Sequence, residues 1–148
     1  MHANIDKEKD ILFLAKRLHK LMDANFTSML ASLDLTAQQG RMLLYVYAKT
    51  NIKNEIVKQK DIEEHFALSK STVSELVTRM EKKELIKREQ NQGTSSIVLT
   101  QKGFELIDII EESRLENRKK CLNGISPDEV DNVIKALNKI IENIEEER

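Results

Sequence analysis

One proline, four glycines, a single cysteine and no tryptophan occur in this 148-residue chain, and aromatics make up only 4% of it. So few helix breakers beside 33% charged residues favour a mainly α protein. With one cysteine there is no internal disulfide, in keeping with a reducing compartment. No run of eighteen apolar residues is present to span a bilayer. The opening MHANIDKEKD lacks the apolar stretch of a secretion signal, so a cytoplasmic protein without a membrane partner is expected. His2, His19 and His65 are too scattered for a metal site, and no His-x-x-x-His or Cys-x-x-Cys occurs. No nucleophile elbow, phosphate loop or paired acid and base is found either, so no catalytic residue, resident cofactor or enzyme activity is expected. Cys121 follows Arg118, Lys119 and Lys120 but has no resolving partner, and an inert thiol is the expectation.

A strong positive balance is missing too, the formal net charge being −1. Its distribution is uneven. Lys53 to Glu89 holds nine basic and eight acidic residues, a net of +1, whereas Gln101 to Arg148 holds eight and twelve, a net of −4. A nucleic-acid binder with so little surplus must concentrate its cations beside the phosphates.

What is present is periodicity. Ile11, Leu14, Leu18, Leu21, Met22, Phe26, Met29 and Leu33 recur at helical steps, predicting a long amphipathic helix from Lys7 to Leu33. Thr36 can cap a second helix running to about Lys49, with Met42, Leu43, Val46 and Tyr47 inward. Thr50 to Val57 reads as a loop. From Gln59 to Arg88 the apolar residues fit two short helices joined at Ala67-Leu68-Ser69, the layout of a helix-turn-helix whose second helix suits a DNA major groove. Ile62, Phe66, Leu68, Val73, Leu76 and Val77 point inward. Outward, the second helix carries Lys70, Ser71, Thr72, Glu75, Thr78, Arg79 and Lys82, which can bond base edges and phosphates.

Leu85 to Glu89 and Ser96 to Leu99 are β-prone, with Gln90 to Ser95 as a hairpin tip, so a two-stranded wing is expected. Thr100 caps a helix from Gln101 to about Leu122, ended by Asn123-Gly124. Ser126-Pro127-Asp128-Glu129 is a capping box with proline at the first helical position. The helix after it carries Val130, Val133, Ile134, Leu137, Ile140, Ile141 and Ile144 in one stripe. The first and last helices present more apolar surface than a small domain covers alone. A two-fold homodimer is therefore expected, with its recognition helices roughly 34 Å apart on duplex DNA.

Taken in order, LTAQQGRMLLYVYA, KDIEEHFALSKSTVSELVTRMEKKELIKR, VLTQKG and SPDEVDNVIKAL resemble the MarR family of winged-helix transcription regulators over nearly the whole chain. The resemblance implies a single domain spanning residues 1–148. It is mainly α with a small β-wing: a winged-helix lobe at 36–100 and dimerisation helices at 7–33 and 101–146. It implies a dimer that binds a near-palindromic operator in double-stranded DNA, usually as a repressor released by a small apolar or phenolic effector. Ser69, Lys70, Ser71, Thr72, Ser74, Glu75, Thr78 and Arg79 then occupy recognition-helix positions. Lys87 and Arg88 are candidate backbone contacts or edge-strand gatekeepers, and Asn91, Gln92, Gly93 and Thr94 form the wing tip. His19, Met22, Phe26, Met42 and Tyr45 are candidates for an effector crevice by position.

The chain also departs from the family pattern. The tip QNQGTSS has no Arg or Lys where the family usually carries Asp-x-Arg, and it is about two residues shorter. Glu84 replaces a helix-ending glycine, at a cost of ~1 kcal/mol if its backbone is left-handed. Glu75 stands where a neutral or basic residue is common and can accept from a cytosine amino group. Gly40 replaces a bulky residue, leaving room for a ligand or a neighbouring side chain. Two alternatives stay open: a protein–protein interaction module of the same fold, and a ligand sensor with little DNA affinity.

Overall fold

The computed structural model describes residues 5–91 and 93–148. Asp6 opens a 3₁₀ turn, Lys7–Lys9, and Asp10 then starts α1, Ile11–Ser32, by accepting from the backbone N–H groups of Leu12 and Phe13. The expected start at Lys7 is thus corrected by one turn. Asp10 is extended, and its carboxylate satisfies donors that begin a new helix. Asp34 turns the chain with a φ of 58°, and α2, Ala37–Tyr47, opens on a full capping box between Thr36 and Gln39. The helix does not simply stop at Lys49. It widens into a π-helical turn, Ala48–Ile52, which takes up the first residues of the expected loop.

The helix-turn-helix consists of α3, Gln59–Phe66, and α4, Lys70–Lys82. Ala67 between them sits in the left-handed region at a φ of 52°. Strands β1, Ile86–Asn91, and β2, Thr94–Leu99, pair antiparallel from Ile86–Leu99 to Asn91–Thr94. The ladder reaches further toward the tip than the β-prone residues foretell, because Gly93 takes a φ of 80° and allows a two-residue turn. Gln92 lies outside the described residues. The Ile97 N–H also donates to the Val57 carbonyl at 2.7 Å, tying β2 to the segment before α3. Thr100 caps α5, Gln101–Cys121, through the Gly103 N–H, and the Ser126–Glu129 box caps α6, Pro127–Glu146.

The chain forms two compact units, residues up to Glu111 and residues Glu112–Arg148. In the first, Leu30, Met42, Leu43, Val46, Ile62, Val73, Val77 and Met80 are fully buried and joined by Ile97, Ile107 and Ile110. The room at Gly40 is taken by a neighbouring side chain. A Cβ there would lie 2.5 Å from Leu30 Cδ1. Most of the apolar row of α1 is only partly covered, since Ile11, Leu14, Leu18, Leu21 and Met22 are exposed. In the second unit no residue of α6 is buried. Its row Val133, Ile134, Leu137, Ile141 and Ile144 stands 40–55% exposed, too apolar for a surface meant for water.

Glu84 has a φ of 60°, so its backbone is left-handed and the cost of a side chain there applies. Glu84→Gly is expected to raise stability by about 0.5–1 kcal/mol, the relief of strain being partly offset by a freer unfolded chain. Thermal unfolding of the two proteins checks it.

Candidate nucleic-acid interface

Helix α4 has two faces because its apolar residues recur at three- and four-residue steps. Val73, Leu76, Val77 and Met80 are buried against the core, while Lys70, Ser71, Thr72, Glu75, Thr78, Arg79 and Lys82 are exposed. The first turn is ordered by hydroxyls. The Thr72 N–H donates to Ser69 Oγ at 3.2 Å, which fixes Ser69 as the N-cap. Ser69 Oγ donates in turn to Thr72 Oγ1 at 2.8 Å, with Ser71 Oγ 3.2 Å away. Thr78 spends its hydroxyl proton on the Ser74 carbonyl at 2.9 Å, and Ser74 itself is half-buried.

Charge on this surface is better arranged than its sum suggests. Among the described residues, Lys70, Arg79 and Lys82 make no ion pair, so their charges stay available to an outside partner. The strand cations differ. Arg88 Nε donates to Glu81 Oε1 at 3.1 Å and its Nη1 to Gln59 Oε1 at 3.4 Å, while Lys87 Nζ lies 3.6 Å from Glu89. Arg88 thus stitches β1 to α3 and α4. Lys58 and Lys60, which sequence reasoning passed over, are exposed at the start of α3 and make no ion pair among the described residues. The signal was there to find, because the first helix of such a motif crosses the phosphate backbone.

Of the five crevice candidates, Met42 is in the core with Phe26 and Tyr45 half-buried against that same core, while His19 and Met22 are exposed on α1. Tyr45 stacks on His65 with ring centroids 4.3 Å apart and meets Phe66 edge-on. Burial pushes the Tyr45 hydroxyl above its ordinary range, Lys49 opposing and Asp61, Glu55 and Glu64 adding to the rise. Gly93 and Thr94 lie at the hairpin end as expected, and Cys121 is exposed.

Residues 33–95, which hold the helix-turn-helix and most of the hairpin, match the model of the MarR family. That stretch of the chain is similar to the family. Solved MarR-family structures resemble the chain over most of their length. One is MepR, a transcription regulator of the Staphylococcus aureus multidrug efflux pump MepA, at 24% identity and a TM-score of 0.80, covering 91% of this chain and 98% of that one. Another is the transcription regulator MarR from Oenococcus oeni, at 28% identity and a TM-score of 0.57, covering 90% and 99%. A third is a complex of the S. aureus MepR with DNA, at 24% identity and a TM-score of 0.68, covering 93% and 98%. No curated protein sequence matches. The winged helix-turn-helix of the MarR family is therefore the fold of this chain.

Proposed function

We propose that this protein is a dimeric, sequence-specific DNA-binding transcriptional regulator, a repressor released from its operator by a small apolar or phenolic effector. The reading is carried by α4, whose inward side is fully packed while its outward side holds hydroxyls and unpaired cations. Such a helix is stiff and hydrophilic on one face, as insertion into a major groove requires. Arg79 is assigned to base edges, Lys70 to the duplex beside it, and Lys58 and Lys60 to phosphates. Dimerisation accounts for the exposed apolar rows of α1 and α6. The DNA complex of the S. aureus relative is consistent with the same use of the fold. Release by effector amounts to a shift of population toward a spacing of the two lobes that no longer matches successive grooves.

Selection of genomic fragments by the purified protein tests the proposal, a recovered near-palindrome being the expected result. On the recovered duplex, Arg79→Ala is expected to cost about 1–3 kcal/mol and to relax the preference for one base pair. Lys60→Ala should lower affinity for all duplexes alike and reduce the slope of log K against log salt by about 0.9. Failure to recover any duplex, with binding indifferent to salt, would leave the protein–protein module as the better account.

A further inference from the structure

Lys83 continues the inward row of α4, three residues beyond buried Met80, and turns away from the exposed side that carries Arg79 and Lys82. Its ammonium donates to the Asp34 carbonyl in the turn between α1 and α2 and to Gln39 Oε1 at 3.1 Å. Gln39 is 5% exposed, and the same oxygen accepts the Thr36 N–H of the α2 capping box. The Asp34 carboxylate is 3.8 Å away but almost wholly in solvent, so the neutral oxygens hold the lysine more firmly than the ion pair does. On the other side, α5 grips the same short stretch of backbone. Lys102 Nζ donates to the Lys83 carbonyl at 3.0 Å, Thr100 Oγ1 to that of Glu84, and the Thr100 N–H to that of Leu85 at 3.1 Å. The adjoining cleft, walled by Leu33, Leu35, Leu85 and Leu106, measures about 180 Å³. That is below the roughly 300–1,000 Å³ of ordinary ligand sites, so it does not argue for a bound molecule here.

We infer that Lys83 is a positioning residue for DNA recognition: it fixes the exit of α4 against the first turn of α2, and so sets the angle at which the recognition face is presented. The inference rests on the DNA-binding reading proposed above. A cation already spent on two internal oxygens has little left for a phosphate. What it controls is aim, and aim matters most for the duplex whose bases must be met in register.

Lys83→Met keeps the stem and removes the ammonium. Measured on the duplex recovered from genomic fragments and on a scrambled duplex of equal length, the variant is expected to lose on the order of tenfold in affinity for the first. Affinity for the second should change little, and the salt slope should match that of the unaltered protein. Gln39→Leu removes the acceptor from a buried position no duplex can reach, and it should lower the same ratio. It decides the matter alone if Lys83→Met does not fold, as judged by circular dichroism. Lys83→Arg, which can still donate to both oxygens, should recover most of the ratio, whereas a merely structural loss of stability would lower Tm and leave the ratio alone. A slope reduced by about one with the ratio intact would make Lys83 a phosphate contact and overturn the inference. An unchanged ratio in the folded variants overturns it as well. If the unaltered protein recovers no duplex, the proposed function falls first and this inference with it.

Discussion

Replacing Ile134 and Ile141 together by glutamate is expected to turn a dimer into a monomer of 17.1 kDa and to abolish operator binding at working concentrations. The two residues are 45% and 50% exposed on the apolar row of α6, which buries nothing of its own. In a two-fold interface each substitution counts twice. Four isoleucines, each with about half its side chain left to bury, at ~0.75–1.5 kcal/mol apiece give about 3–6 kcal/mol, or two to four orders of magnitude in the dimer dissociation constant. Four carboxylates beside an apolar surface add to that loss. Light scattering across micromolar concentrations measures the first effect, and a gel shift on the recovered duplex the second. A dimer that persisted at 1 µM would remove α6 from the interface.

Gly103→Ala is expected to lower stability by about 3 kcal/mol, near 10 °C in Tm. A Cβ at this position would lie 2.3 Å from the Leu85 carbonyl oxygen, and the obstacle is backbone. Leu85 cannot step aside easily, because its N–H is bonded to the Met80 carbonyl and its own carbonyl accepts from Thr100. Gly40→Ala is the instructive comparison. There the obstacle is the end of the Leu30 side chain, so a cost nearer 1 kcal/mol is expected even though the nominal clash is similar. Calorimetry on both variants reads the difference. Equal costs would show that what stands in the way of the added carbon matters less than the distance to it.

Local rules made much of this fold legible. The span of α4 follows from Ser69 as cap and from the spacing of Val73, Leu76, Val77 and Met80. The start of α6 follows from Ser126-Pro127-Asp128-Glu129. The left-handed backbone of Glu84 was signalled only as a possibility, by the glycine usual at that place in the resembled family. What escaped depends on distant partners. The capture of Arg88 needs Glu81 and Gln59, the latter 29 residues away in sequence. The filling of Gly40 by Leu30 and the grip of Lys83 on Asp34 likewise join α1 or its turn to later helices. The π-helical turn at Ala48–Ile52 escaped for a different reason, since its ring pattern differs from an α-helix only in hydrogen-bond partners that composition does not specify. Of the proposed interface, the identity of the outward residues was legible. Which of their charges are free was not, because that depends on where Glu81 and Glu89 point.

The hairpin closes in two residues, and the segment from Gln90 to Ser96 carries no cation. A finger so short and uncharged gains nothing from the compressed grooves of adenine-rich tracts. Stretches bordering an operator are thus free to drift in base composition, and recovered sites should agree in their inner half-sites and in little beyond them.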